Sequence, residues 1–124
     1  MSPFACIALA VYFEARSEPV SEQLRVASVV LNRVEDQRYP DDACAVVWEA
    51  RQFSFTHDGK SDVPRNAVAW SIAQGVASEA IEAPDRFEAT HYLRHDVNRS
   101  WEHAFEYLGR FGAHDWYFNA TPYR

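Results

Sequence analysis

The chain has 124 residues, which is enough for one domain with one hydrophobic core but leaves no room for a second core. Its 12 basic and 18 acidic residues give a formal net charge of −6, which argues against the basic surface that nucleic-acid binding requires. We therefore predict a single domain over residues 1–124 with no nucleic-acid partner, and we expect a monomer.

An apolar stretch opens the chain at residues 4–13. Its ten residues are too few to cross a bilayer, which requires about 20. The stretch also lacks the basic leader and the small-residue cleavage site of a secretory signal. We therefore expect no stable membrane insertion of this segment.

The first helix is predicted over residues 3–16, because Ser2 and Pro3 form a favourable cap and first turn. One helical stripe carries residues spaced three, four and three positions apart, namely Phe4, Ile7, Val11 and Glu14. The proline at position 19 disfavours helix at the residue before it, so the helix ends earlier. Glu14 is then the last side chain that this helix directs inward.

Three further helices and a strand-containing end are predicted. The second helix covers residues 20–35 and is apolar almost all round, which indicates a central, buried helix. A short third helix follows a cap at Asp41 or Asp42, and a long fourth helix covers residues 63–83. The aromatic last third is expected to form short strands. Together these elements predict an α+β domain that is mainly α.

Glu14 is the candidate catalytic group. Its neighbours Tyr12 and Phe13 are aromatic, and removing a carboxylate from water raises its pKa because the charged form is disfavoured. A glutamic acid with a raised pKa can protonate a glycosidic oxygen at neutral pH. Glycosidases usually pair two carboxylates, and three partners remain open from spacing alone: Glu18, Asp58 and Asp62.

The segment RQFSFT at residues 51–56 alternates polar and aromatic residues as a half-buried strand does. In such a strand Gln52 and Ser54 would share one face, where an amide and a hydroxyl can hydrogen-bond sugars. Its aromatic residues could pack on the apolar face of a sugar ring. Asn32 lies at the end of the second helix. Its side chain could cap that helix or contact a ligand, and the sequence leaves both interpretations open.

Metal and thiol chemistry find little support. His91 and His95 are four residues apart, but Tyr92 takes the position where the zinc-protease helix motif requires a glutamate. Cys6 and Cys44 permit either one disulfide or two buried thiols. We expect no metal site and no cofactor.

Several motifs in order along the chain carry a resemblance to a known family. They are CIALAVYFEARSEPVSEQLRVASVVLNRV, RYPDDACAVVWEARQFSFTHDG, ATHY, Trp101 and GAHDWYF. This pattern resembles the cell-wall hydrolase family of the spore-cortex-lytic enzyme (SleB) type, which also includes phage lysins. The resemblance implies a lysozyme-like fold, akin to the lytic transglycosylases and goose-type lysozymes.

The resemblance also implies a substrate and a set of site residues. The substrate would be the peptidoglycan glycan strand, cleaved at the β-1,4 bond between N-acetylmuramic acid and N-acetylglucosamine. The glutamate of the EAR motif falls on Glu14, as acid and then base of a lytic transglycosylase. The residues that match the groove segments of the family, and are therefore expected to contact the substrate, are Gln52, Phe53, Ser54 and Tyr92. Asn32 and Glu18 are two further candidates for substrate contact.

Three alternatives stay open at this point. The chain could be a true muramidase that uses water and a second acid such as Glu18, a wall-binding module without catalysis, or a zinc amidase. The expected place of action is the cell wall. A phage lysin would wait in the host cytoplasm before release, whereas a trimmed domain of an exported enzyme would act outside the cell.

Overall fold

The computed structural model describes residues 1–49, 53–83, 85–97 and 104–121. These residues form four α-helices, one short 3-10 helix and three strands. In chain order the elements are α1 (Pro3–Ala15), α2 (Val20–Glu35), α3 (Ala43–Trp48), the 3-10 helix (Ser54–Thr56), α4 (Ala67–Glu82), β1 (His91–Arg94), β2 (Glu106–Phe111) and β3 (His114–Phe118). No helix within the described ranges combines the length and the apolar character needed to cross a membrane.

Capping side chains set the first residue of three helices. The Ser2 hydroxyl accepts a hydrogen bond from the main-chain N–H of Ala5 at 3.1 Å, and Asp42 and Asn66 cap α3 and α4 in the same way. Each cap satisfies an N–H that the helix itself leaves unpaired, worth about 1 kcal/mol. The predicted start of the fourth helix at residue 63 is therefore wrong, because the Asn66 cap places the start after residue 66.

The central helix of the domain is α1. All side chains over residues 6–12 are buried, and the helix packs against α2, α3 and α4. The sequence assigned this central position to α2, but α2 leaves Leu24 and Leu31 only half-buried. The core therefore surrounds α1, and Glu14 lies in its last turn.

The three strands form an antiparallel sheet in the order β1-β3-β2. Trp116 on the central strand β3 is fully buried and pairs with Tyr92 of β1. Gly112 lies between β2 and β3 with φ +63°, a left-handed conformation that glycine adopts without the steric cost of a side chain. The predicted strands of the last third are confirmed by this sheet.

The end of α2 fixes the chain segment that leads into β1. The Asn32 amide donates to the carbonyl oxygens of Phe87 and Ala89 at 2.6 and 2.9 Å. The buried Arg33 donates through Nε to the carbonyl of Thr90 at 2.8 Å. Both side chains therefore position the start of β1, and through it Tyr92.

A disulfide joins Cys6 in α1 to Cys44 in α3 across 38 residues. Of the two possibilities that the sequence left open, the structure shows the paired one. The bond ties the central helix to the short helix that precedes the 3-10 segment.

Reducing this disulfide should lower the free energy of unfolding by about 4 kcal/mol, because a loop of 38 residues is released in the unfolded chain. Denaturant unfolding with and without a thiol reductant measures the difference. The matched control is the Cys6→Ala/Cys44→Ala variant, whose stability should not respond to the reductant. An unchanged unfolding midpoint after verified reduction of the native chain would contradict the expectation.

Candidate active site

The half-buried Glu14 carboxylate receives one hydrogen bond on each oxygen. The Tyr92 hydroxyl donates to Oε1 at 3.2 Å, and the Ser54 hydroxyl donates to Oε2 at 3.4 Å. These donors come from β1 and from the 3-10 helix, two elements far from α1 in sequence. The structure thus brings together three of the predicted site residues at one carboxylate.

Burial raises the pKa of Glu14 above its ordinary value. Three smaller effects oppose this shift: the hydrogen bonds from Tyr92 and Ser54, and the electrostatic interaction with His114. Hydrogen bonds to a carboxylate favour its charged form, whereas loss of water disfavours it. Because burial is the largest effect, the carboxyl group keeps its proton to a higher pH than an exposed glutamate does.

Tyr92 is held in place by aromatic neighbours on β3. Its ring lies 4.9 Å from the ring of Trp116 and 5.2 Å from that of His114, the latter edge to face. Burial and the nearby Glu14 carboxylate raise the pKa of Tyr92 well above its ordinary value. The phenol therefore stays protonated and acts as a hydrogen-bond donor to Glu14.

A buried acid–imidazole pair supports Tyr92 from behind. His114 Nδ1 lies 2.8 Å from Glu22 Oε1, and the two side chains are only 11% and 2% exposed. Neither residue was predicted as part of the site. A glutamate in the first turn of a helix is usually an exposed favourable charge, and the two residues are 92 positions apart.

Glu18 lies in the turn between α1 and α2 and faces this pair rather than Glu14. A hydrogen bond with Glu22 is the largest cause that raises the pKa of Glu18. Among the groups that shift the pKa of Glu14, the described part of the chain supplies no second carboxylate. Glu18 is thus near the site, and its contact with substrate stays a prediction.

Two of the remaining predicted contacts have other roles in the structure. Phe53 is 1% exposed and packs in the hydrophobic core, so its ring offers no surface to a sugar and its interpretation as a substrate contact is corrected. Asn32 donates hydrogen bonds through its amide to the carbonyl oxygens of Phe87 and Ala89, so its role in the structure is to stabilise the fold. Gln52 lies outside the described residues.

The strand predicted over residues 51–56 is wrong where the chain is described. Residues Ser54–Thr56 form a 3-10 turn that begins after the extended Phe53. Phe53 and Phe55 are both buried, and the Thr56 hydroxyl donates to the carbonyl of Phe53 at 2.8 Å. The turn exposes Ser54 and directs its hydroxyl to Glu14.

The histidines at positions 91 and 95 do not share a helical face, because His91 lies on β1. Burial is the main cause that lowers the pKa of His91 to about 3. Its Nδ1 contacts the Thr90 hydroxyl at 3.0 Å. Within the described ranges, no group of three His, Cys, Asp or Glu side chains is arranged to hold a metal ion.

A sequence model described as Cell Wall Hydrolase matches residues 17–117 of this chain. The chain belongs to the cell wall hydrolase family. The matched range begins three residues after Glu14, so the family match by itself does not assign a role to that carboxylate.

Curated relatives of this cell wall hydrolase include spore cortex-lytic enzymes. The one from Bacillus subtilis is 32% identical over 110 residues, which cover 87% of this chain and 35% of the relative. The one from Oceanobacillus iheyensis is 42% identical over 71 residues, covering 53% of this chain and 26% of the relative. The chain therefore spans between a quarter and about a third of the length of these relatives.

Two solved structures are similar to the whole domain. The catalytic domain of the germination-specific lytic transglycosylase SleB from Bacillus anthracis has a TM-score of 0.79 and 29% identity, covering 93% of both chains. The catalytic domain of the Bacillus cereus SleB protein has a TM-score of 0.80 and 29% identity, covering 93% of this chain and 88% of that one. The expected fold class, a mainly helical α+β domain of the lysozyme-like group, is confirmed by these matches.

Replacing Tyr92 by phenylalanine should raise the pKa of Glu14 further, because it removes a donor that stabilises the charged carboxylate. Ser54→Ala should shift the pKa in the same direction but less, since its hydrogen bond has the smaller effect. Titration of the Glu14 carboxyl carbon by NMR measures both shifts. A fall in the Glu14 pKa in either variant would contradict the arrangement described above.

Gly112→Ala should destabilise the protein by more than Gly59→Ala does. Both glycines have positive φ, at +63° and +74°, so alanine is strained by about 1–2 kcal/mol at either position. A Cβ at Gly112 would also collide with the Glu22 carboxylate, whereas Gly59 has open space. The collision should add about 1–3 kcal/mol, measured as the difference in free energy of unfolding between the variants. Equal losses would contradict the close contact.

Proposed function

We propose that residues 1–124 form a single peptidoglycan-cleaving domain that acts as a lytic transglycosylase. Its target would be the β-1,4 bond between N-acetylmuramic acid and N-acetylglucosamine. The observation that carries the proposal is the Glu14 carboxyl group, whose pKa is raised by burial and whose two oxygens are oriented by Tyr92 and Ser54. The similarity to the catalytic domain of a lytic transglycosylase, at 29% identity over 93% of the chain, supports it.

Glu14 would first act as a general acid. Its proton moves to the glycosidic oxygen as the bond from that oxygen to C1 of the muramic acid breaks, and the positive charge that develops at C1 is stabilised by the new carboxylate. The raised pKa of Glu14 favours this step, because a larger share of the carboxyl groups carries the proton near neutral pH. Tyr92 and Ser54 then stabilise the carboxylate product through the same hydrogen bonds.

The carboxylate of Glu14 would next act as a base. It takes the proton from the C6 hydroxyl of the same muramic acid, and the C6 oxygen forms a bond to C1. The product is a 1,6-anhydro sugar, no water is consumed, and Glu14 regains its proton. This cycle requires one carboxyl group alone.

The surroundings of Glu14 favour this route over hydrolysis. A hydrolase of the two-acid type places a second carboxylate about 5–9.5 Å away, where its charge would raise the pKa of Glu14. Among the described residues, no carboxylate contributes to that pKa, and the pKa of Glu18 is raised chiefly by its interaction with Glu22. If the chain were instead a muramidase that activates water through Glu18, its products would carry reducing ends.

The place of action follows from the substrate and from the disulfide. Disulfides persist in oxidising environments outside the cytoplasm, and Cys6 and Cys44 are paired. We infer that the domain works on the wall beyond the inner membrane. The route by which it arrives there, by export or by release during lysis, stays open.

Glu14→Gln should reduce the rate of wall clearing at least about 100-fold, because glutamine cannot donate or accept the catalytic proton. Binding to purified sacculi should be retained, since the amide keeps the shape of the carboxyl group. Glu79→Gln is the matched control, an exposed glutamate on α4 whose replacement should leave clearing unchanged.

Mass spectrometry of the native digest decides between the reactions. Anhydromuramic ends are expected. Reducing ends alone would overturn the transglycosylase assignment in favour of a muramidase. Binding by the native chain without any cleavage would show a wall-binding module.

A further inference from the structure

A cleft lies beside α1, on the side formed by the loop that precedes α4. Its volume is about 760 Å³. One wall consists of Tyr12, Phe13 and Arg16 at the end of α1, and the other wall comes from the loop before α4, namely Asp58, Lys60, Ser61, Val63, Arg65 and Asn66. Neither Glu14 nor its two hydrogen-bond donors line this cleft.

Three cations and a single carboxylate line the cleft, in a chain whose net charge is −6. The cations are Arg16, Lys60 and Arg65, and across the described residues none of them forms an ion pair. The carboxylate is Asp58, whose Oδ1 accepts the main-chain N–H of Lys60 at 2.9 Å and so shapes the turn. We name this feature the cationic cleft. Unpaired like charges around one cavity repel one another, and a bound anion would relieve that repulsion.

Arg16 is held in a fixed position at the edge of the cationic cleft. Its Nη1 donates to the Tyr12 hydroxyl at 2.5 Å, and its guanidinium lies 4.8 Å from the centre of the Tyr12 ring. Tyr12 is 1% exposed, and its hydroxyl also accepts the main-chain N–H of Asn66 from the opposite wall at 3.1 Å. The guanidinium is therefore preorganised for an anion and loses little conformational entropy on binding one.

One aromatic pair adjoins both the cationic cleft and, along the chain, the residues of the catalytic site. Phe13 lines the cleft and stacks on Phe55 with ring centres 5.0 Å apart. Phe13 directly precedes Glu14, and Phe55 directly follows Ser54. The cleft therefore lies next to the residue that precedes Glu14, within reach of a group attached to a sugar bound at Glu14.

We propose that the cationic cleft binds carboxylate groups of the peptide stem that peptidoglycan carries on its muramic acid. This inference rests on the proposed function. The stem leaves the same sugar whose bond Glu14 would cleave, and each of its extended residues spans about 3.3–3.6 Å, so a few residues bridge the aromatic pair. Guanidinium groups suit carboxylates because they offer two parallel N–H donors. Recognition of the stem makes the cleft a determinant of substrate specificity.

The test compares two glycan substrates, strands that carry stem peptides and the same strands with the stems removed by an amidase. For Arg65→Gln we expect KM on stem-bearing strands to rise about tenfold, because one charge-assisted hydrogen bond to the stem is lost. The value of kcat should change little. On stem-free strands the variant should match the native chain. Lys60→Gln should behave in the same way. The matched control is Arg86→Gln, which removes one positive charge at an ion pair with Glu35. This variant should leave KM unchanged for both substrates.

Two outcomes of the kinetic test would overturn the proposal. An equal rise in KM on both substrates would show that the cleft acts on the glycan or on the fold, and an unchanged KM on stem-bearing strands would show that it binds no stem. Failure of the native chain to cleave either substrate would instead count against the proposed transglycosylase reaction. The two failures are thereby separated.

Binding in the Glu14→Gln background tests the cationic cleft independently of catalysis. The affinity for stem-bearing strands should fall about tenfold on adding Arg65→Gln, and the affinity for stem-free strands should not change. A phosphodiester wall polymer offers a different anion. If binding depends on Arg65 only for walls that retain such a polymer, the cleft recognises phosphate and the assignment to the stem is overturned.

Discussion

The Glu14 carboxyl group is the one group on which the rest of the site depends. It is taken out of water at the end of a buried helix, which favours the protonated form, and it receives two hydrogen bonds, which favour the charged form. An acid that must also serve as a base needs both effects. Burial alone would leave a poor base, and hydrogen bonds alone would leave a poor acid.

Most of the scaffold serves to place the two donors. The end of α2 holds the chain before β1 through Asn32 and Arg33, and β1 then presents Tyr92 to Glu14. From the other side, the buried pair of Glu22 and His114 packs against the Tyr92 ring. Tyr92 is therefore fixed from two directions, by the main chain of its own strand and by the acid–imidazole pair behind its ring. Ser54 depends instead on a single 3-10 turn whose two phenylalanines are anchored in the core.

The parts of the fold that short-range chemistry determines could be predicted from the sequence. The serine and proline before α1 and the proline before α2 set helix boundaries that the structure confirms. The start of α4 could not be placed, because Pro64 is typical of a first helical turn and Asn66 of a cap, and the Asn66 side chain makes the cap. In RQFSFT the alternation fits a strand, yet burial of Phe53 and Phe55 on either side of one turn produces the same pattern.

The contact between Glu22 and His114 has no local signal at all, because it depends on how the sheet packs against α2. The same is true of the cationic cleft, whose charges come from the end of α1 and from the loop before α4. Glu14 could be predicted because its stripe, its aromatic neighbours and the end of its helix are all adjacent in sequence. Of its donors, 40 and 78 residues away, Ser54 was proposed as a sugar contact from the alternation in RQFSFT, whereas Tyr92 could be proposed only through the family resemblance.

The position of Glu14 in the last turn of α1 has an electrostatic consequence of its own. Peptide dipoles along a helix add up to about half a negative charge at its carboxyl end. The thirteen residues of α1 are aligned with that end towards Glu14, so the backbone itself repels an ionised side chain there. A carboxyl group at the opposite end of the same helix would feel the reverse field, and so the direction of the chain through the core helps to keep Glu14 protonated.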